Sequence, residues 1–202
     1  MEHYSVNYRA SKGQLRFLDP DQVEILLTET ELPPLTSEHQ VNTDIPAEKQ
    51  LLGLHSTQLH VRDPQATSAF FETFLSWTTV DQRIQLNTTD FLEILHTDSD
   101  KLIHMGCVSA DHVAFAIAND TALDELQQRA KKQGWMIEKL VSRGYFKSLY
   151  IREPGGNRLE FATLGPGFTI DEPLEQLGEH FALPPFLADQ RAEIEANIYP
   201  EA

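Results

Sequence analysis

One cysteine, Cys107, occurs in 202 residues, so no disulfide can form within the chain, as expected in a reducing compartment. Between Gly106 and Val108 that thiol reads as a small core residue and not as a nucleophile. Basic residues are scarce, 16 Lys and Arg against 31 Asp and Glu, giving a formal charge of -15. Nucleic-acid binding requires a basic surface and is therefore excluded. The acidic balance keeps the chain dissolved and identifies no partner. No apolar run approaches transmembrane length, and MEHYSVNYRASKG holds no apolar core of signal-peptide length. The expectation is a cytoplasmic protein that does not engage a membrane. Apolar residues make up 41% of the chain, which is not a disordered composition.

What is present is a repeat. Residues 54–61, LHSTQLHV, predict a strand, and Asp63-Pro64 predicts a helix start, with the Asp as cap and proline in the first turn. Ala66, Phe70, Phe74 and Trp77 then fall at helical spacing. RIQLNT (83–88) and DFLEILHT (90–97) alternate as strands. The same order returns from residue 111. DHVAFAIAN predicts a strand, Asp120 a cap, and Leu123, Leu126 and Ala130 a helix stripe that Gly134 stops. MIEKLVS (136–142), YFKSLYIRE (145–153) and RLEFATL (158–164) follow as strands, the last two joined by Pro154-Gly155-Gly156-Asn157. A β-α-β-β-β unit thus occurs twice with a period of about 56 residues, and each copy needs a neighbour for its apolar face.

These observations predict an α+β fold of paired βαβββ modules forming a curved mixed sheet. One module spans 51–106 and the next, carrying the site residues, 107–166. Residues 1–30 predict a partial module, in which 15–28 forms a hairpin about Asp19-Pro20-Asp21-Gln22. That hairpin matches the last two strands of a unit whose first strand and helix are absent, so a chain beginning partway into a longer architecture is expected. Residues 31–50, polar and holding Pro33, Pro34 and Pro46, predict a linker. Residues 167–202 predict a tail with short helices at 171–178 and 186–197, packed on the sheets. Uncovered sheet edges predict self-association.

Strand alternation sorts the second module by face. His112, Ala114, Ala116, Tyr150, Arg152, Arg158 and Glu160 fall on one side; Val113, Phe115, Ile117, Leu149, Ile151, Leu159 and Phe161 fall on the side a helix can cover. Singly, His112 reads as a satisfied strand residue and Glu160 as the partner of Arg152 or Arg158. Together they are an N,O donor pair suited to Fe(II), Mn or Zn, and two His with one carboxylate is the pattern of Fe(II) oxygenases.

The words DHVAF (111–115), SRGYFKSLYIREPGGNRLEFATLGPGFTIDEPLEQLG (142–178) and LPPFLADQRAEIE (183–195) resemble the vicinal oxygen chelate superfamily, the glyoxalase, bleomycin-resistance and extradiol-dioxygenase group. Within it they are similar to the hydroquinone-type ring-cleaving dioxygenases. The resemblance implies that His112 and Glu160 bind a metal, Fe(II) with Mn or Zn as alternatives. It implies that Tyr150 and Arg143 orient and polarise a bound phenol, and that the partners are a small aromatic substrate and O2. Arg152 is assigned a structural role on Glu153 or a backbone carbonyl. Asp111 stands where the family carries a histidine, and an ionised carboxylate accepts hydrogen bonds but cannot donate them. The family's third ligand, a His of its first module, has no counterpart here. In register Ser56 takes that position, His55 points to the opposite face, and His60 lies further along. Either another chain, a second copy or one carrying the missing module, supplies the third ligand, or the site is vestigial, or the chain is a fragment. The competing reading is an inactive binding or structural unit. A metal-dependent isomerase or thiol transferase of the same superfamily is less well matched by PGFTIDE and LPPFL.

Overall fold

The structure, a computed structural model, describes residues 6–99 and 110–198. Cys107, and with it the expected junction between the modules at 106/107, lies outside the described residues.

Three strands open the chain as an antiparallel sheet: β1 (Tyr8–Ser11), β2 (Gln14–Leu18) and β3 (Glu24–Thr28). The hairpin β2–β3 was expected and β1 was not. The chain doubles back through Lys12 and Gly13, at φ 47 and 74, a left-handed pair suited to a two-residue hairpin turn. The region 31–50 holds one short 3-10 turn, Ala47–Lys49.

The first repeat comprises β4 (Ser56–Val61), α1 (Pro64–Phe70), β5 (Thr79–Val80), β6 (Arg83–Gln85) and β7 (Phe91–His96). The second comprises β8 (Val113–Ile117), α2 (Asp120–Gln133), β9 (Met136–Ser142), β10 (Lys147–Arg152) and β11 (Arg158–Thr163). Their sheets have the same order, β4-β7-β6-β5 and β8-β11-β10-β9. In each the first strand runs parallel to the last. Asp63 caps α1 through Ala66 N–H at 3.0 Å, with proline following as read from the sequence. The α1 chain continues as a π-helical turn, Phe71–Leu75, which brings Phe71 as well as Phe70 and Phe74 inward. The cap of α2 is Asn119 and not Asp120. Asn119 is the extended residue whose side chain accepts from Ala122 N–H at 2.9 Å, whereas Asp120 is already helical and pairs with Lys147. Gly134 ends α2 in the left-handed conformation, φ 75, as expected of glycine there.

The helix-side faces of both sheets meet in one core that includes Leu59, Val61, Phe70, Phe74, Ile94, Leu123, Leu149, Ile151, Leu159 and Phe161. Phe74 meets Phe161 edge-on at 6.1 Å, and Phe70 meets Trp135 at 4.8 Å. Each such side chain contributes ~1.5–3 kcal/mol by leaving water. The modules are also joined by a buried polar contact. Glu153, just after β10, accepts from the Thr67 hydroxyl of α1 at 2.6 Å.

The tail holds 3-10 turns Phe168–Ile170, Leu174–Gln176 and Pro185–Gln190, then α3 (Arg191–Ile198). It packs on the β9–β10 hairpin, where Phe168 stacks on Tyr145 at 4.8 Å and Pro184 lies against Gly144. Among the described residues no helix is long and apolar enough to cross a membrane.

Candidate functional site

The second sheet covers one face with helix α2 and leaves the other polar. Ala114 and Ala116 are exposed on it, forming a low floor beside larger neighbours. Parallel pairing of β8 with β11 sets Ala114 opposite Glu160, so His112, just before β8, comes beside Arg158. Antiparallel pairing of β10 with β11 sets Tyr150 directly opposite Glu160. Residues 38 and 48 positions apart in the chain from His112 therefore converge on one patch.

Glu160 is buried, at 5% exposure. Its Oε1 accepts from the Tyr150 hydroxyl at 2.7 Å, and its Oε2 lies 2.7 Å from His112 Nε2. The His112 and Tyr150 rings meet edge to face at 5.7 Å. The other imidazole nitrogen, Nδ1, lies 2.6 Å from Asp111 Oδ2. Asp111 in turn takes both carboxylate oxygens to Arg158, at 2.9 and 3.1 Å. The His112 hydrogen bond, helped by the Arg158 guanidinium, outweighs desolvation and holds the Asp111 carboxyl below its ordinary range.

The arginines offered by the sequence as partners of Glu160 are committed elsewhere. Arg152 bonds Glu138 at 2.6 Å and the Gly156 carbonyl at 2.6 Å, and Arg158 bonds Glu138 and Asp111. Arg152 thus holds a backbone carbonyl, as expected, but Glu138 and not Glu153 is its carboxylate. Glu138 escaped the sequence reading. The β9–β10 register shifts between Tyr150 and Ile151, so Glu138 is the extra residue of a bulge and turns toward the polar face. The adjacent charges Glu138-Lys139, which interrupt the alternation of MIEKLVS, were the available signal. Burial raises the Glu138 pKa, but the Arg158 and Arg152 hydrogen bonds outweigh it and hold it low. Lys139 and Arg158 place cations 4.8 and 5.4 Å from the centre of the Tyr150 ring, a favourable position over an aromatic face.

Arg143 is exposed at the tip of the β9–β10 hairpin, where its backbone N–H donates to the Phe146 carbonyl. The structure joins His112, Glu160 and Tyr150 and leaves Arg143 outside that cluster.

The first module provides an internal control. Its β7 carboxylate, Glu93, occupies the position of Glu160, opposite Gln58 on the parallel strand and Arg83 on the antiparallel one. There Arg83 bonds it through two nitrogens at 2.9 and 3.1 Å, and Gln58 donates at 2.8 Å. Glu93 is neutralised by an arginine; Glu160 has a phenol and an imidazole. Ser56 is the first-module residue at the place of His112, pairing with Phe91 as His112 adjoins Arg158. His55 packs edge-on against Phe91 at 5.1 Å, and His60 is exposed.

The donor pair fits a cation. Nε2 and Oε2 stand at hydrogen-bond distance, 2.7 Å, and an imidazole nitrogen with a carboxylate oxygen is the donor chemistry that suits Fe(II), Mn or Zn. Among the described residues no group of three His, Cys, Asp or Glu side chains is arranged to hold a metal.

Residues 53–161 match the family described as the Glyoxalase/Bleomycin resistance protein/Dioxygenase superfamily. The chain is 31% identical to "Putative ring-cleaving dioxygenase MhqA" of Bacillus subtilis, over 98% of this chain and 67% of that protein. It is 34% identical to "Chlorohydroquinone/hydroquinone 1,2-dioxygenase" of Sphingobium indicum, over 41% of this chain and 26% of that protein. The chain thus spans about two thirds of the first relative and a smaller share of the second. Among solved structures, a "putative dioxygenase" of Bacillus subtilis superposes on all of this chain and 67% of its own, with TM-score 0.80 and 21% identity.

Proposed function

The chain belongs to the Glyoxalase/Bleomycin resistance protein/Dioxygenase superfamily, and within it we propose that it is a ring-cleaving dioxygenase of hydroquinone- or catechol-like aromatics, or the metal-bearing part of one. The observation that carries this reading is the state of Glu160. It is a buried carboxylate 2.7 Å from an imidazole nitrogen, while the arginines of its own sheet are bonded to other acceptors. A buried carboxylate calls for a positive partner: Glu93 has Arg83, whereas Glu160 meets a phenol and an imidazole, and the imidazole is a metal-ligand type.

His112 and Glu160 would hold Fe(II), with Mn or Zn as the alternatives of the same donor set. When bound, such an ion supplies Lewis acidity toward a phenolic oxygen and, for iron, the electrons that activate O2. The chain's own residues prepare the site. The Tyr150 hydroxyl donates to Glu160 Oε1 and leaves Oε2 facing Nε2. The Tyr150 ring, 4% exposed, closes one side against water. The small Ala114 and Ala116 leave room for an aromatic ring. Arg143, at the hairpin rim, would meet the substrate's developing anion. A third donor comes from a second copy or from an upstream module, so the working form is an oligomer or a longer assembly. The reaction takes place in the cytoplasm, and both atoms of O2 enter the cleaved ring.

The first experiment is iron per chain after anaerobic Fe(II) loading and desalting, for wild type and His112→Ala, followed by O2 uptake with hydroquinones. Retained iron that is lost in the variant, with uptake in the wild type, supports the reading. Absence of both, even with an upstream module added, refutes it. One observation favours the second reading, an inactive binding unit: among the described residues no third His, Cys, Asp or Glu completes a metal-holding group with His112 and Glu160. That reading predicts no retained iron and no effect of Glu160→Gln on ligand binding.

A further inference from the structure

We propose that Asp111 is a positioning residue: clamped by Arg158, it holds the His112 ring through Nδ1–H and so presents Nε2 toward Glu160. The proposal rests on the metal reading above. The sequence marks Asp111 only as a lost donor. The structure gives it a different task, because the imidazole beside it needs an acceptor.

Three contacts carry the argument. Asp111 Oδ2 lies 2.6 Å from Nδ1, a charge-assisted hydrogen-bond distance. Both Asp111 oxygens also accept from Arg158 Nη1, at 2.9 and 3.1 Å, which leaves the carboxylate as the acceptor in every contact. The proton of the His112–Asp111 bond must then sit on Nδ1. Third, Arg158 is fixed at its Nε by Glu138, the bulge residue, which also binds Arg152. The line Glu138–Arg158–Asp111–His112 therefore runs from the β9 bulge to the imidazole. It matters because the Asp111 side chain is 41% exposed and would otherwise sample several rotamers. Through Nδ1–H a carboxylate fixes the tautomer and orientation of an imidazole and raises the basicity of the opposite nitrogen. Loss of such a partner typically lowers metal affinity ~10–100-fold.

The test uses the full chain and Zn2+, a redox-inert probe. Equilibrium dialysis compares wild type, Asp111→Ala, Asp111→Asn and His112→Ala. In parallel, the side-chain N–H resonances of 15N-histidine-labelled protein are recorded with Zn2+ bound. Asp111→Ala should weaken Zn2+ binding ~10–100-fold and abolish the protected Nδ1–H signal of His112. Asp111→Asn keeps an acceptor oxygen and should recover part of both. A structural role alone would lower the urea midpoint and move neither readout. If wild type binds Zn2+, His112→Ala does not, and Asp111→Ala and Asp111→Asn both match wild type within about twofold, the positioning role is overturned while the metal reading stands. If wild type and His112→Ala bind equally weakly, the metal reading falls and the positioning role falls with it.

Discussion

Replacing Glu153 by Gln would weaken the polar joint between the two repeats, together with the turn that supports it. Glu153 is 2% exposed and Thr67 is fully buried. One carboxylate oxygen accepts from the Thr67 hydroxyl at 2.6 Å and from Gly155 N–H at 2.7 Å. The other accepts from Asn157 N–H at 2.9 Å and Asn157 Nδ2 at 2.8 Å. All four contacts require an acceptor, and an amide offers one oxygen. With that oxygen on Asn157, the new NH2 faces Gly155 N–H, which is left without a partner. The Thr67 hydroxyl can turn to accept. One lost bond to a charged group costs ~1.5–3 kcal/mol, and the remaining bonds weaken with the charge, so the total expected is ~3–5 kcal/mol. Thr67→Val keeps the shape and removes one donor from a carboxylate that retains three others, so it should cost ~1.5–2 kcal/mol. The two changes share a bond and should be non-additive by ~1 kcal/mol in a double-mutant cycle. Urea unfolding followed by circular dichroism measures all three. A Glu153→Gln loss below ~1 kcal/mol, or strict additivity with Thr67→Val, would show that the joint does not hold the repeats together.

Other perturbations probe the same surface and its supports. Tyr150→Phe leaves Glu160 Oε1 without its 2.7 Å donor and should lower stability by ~1.5–3 kcal/mol and reduce metal retention, read by unfolding and by bound metal per chain; unchanged values in both would remove Tyr150 from the site. Glu138 has its carboxyl held below the ordinary 4.5, so its contribution is complete above that value and is lost as pH falls through the folded-state pKa. Glu138→Gln should therefore cost stability near neutral pH and flatten the acid limb of the stability profile, and an unaltered limb would contradict the assignment. Gly155→Ala would bring a Cβ to 2.3 Å from Val61 Cγ1 and 2.7 Å from Glu153 Oε1. It should destabilise by ~1–3 kcal/mol as an overpacked contact, and Val61→Ala in the same chain should restore part of that loss in thermal unfolding.

The repeat, its helix starts and the two faces of each strand were legible in the sequence, because they depend on local periodicity and capping chemistry. Asp63-Pro64 and Gly134 bound their helices as read, and the apolar side of 149–161 is the buried side. The shared face of His112, Tyr150 and Glu160 followed from alternation alone. Local pattern misplaced the α2 cap by one residue, since Asn119 and Asp120 are both capping types and only backbone geometry separates them. It missed β1, whose YRAS segment becomes a strand by pairing with β2 and not by its own composition. Tertiary structure alone decided who partners whom. Several cations and carboxylates compete on one polar face, and strand register with one bulge sends Arg152 and Arg158 to Glu138 and Asp111. The same register leaves Glu160 to His112 and Tyr150. A sequence lists the charges on a face; their pairing depends on distances of a few ångströms between strands, and those exist only once the sheet has formed.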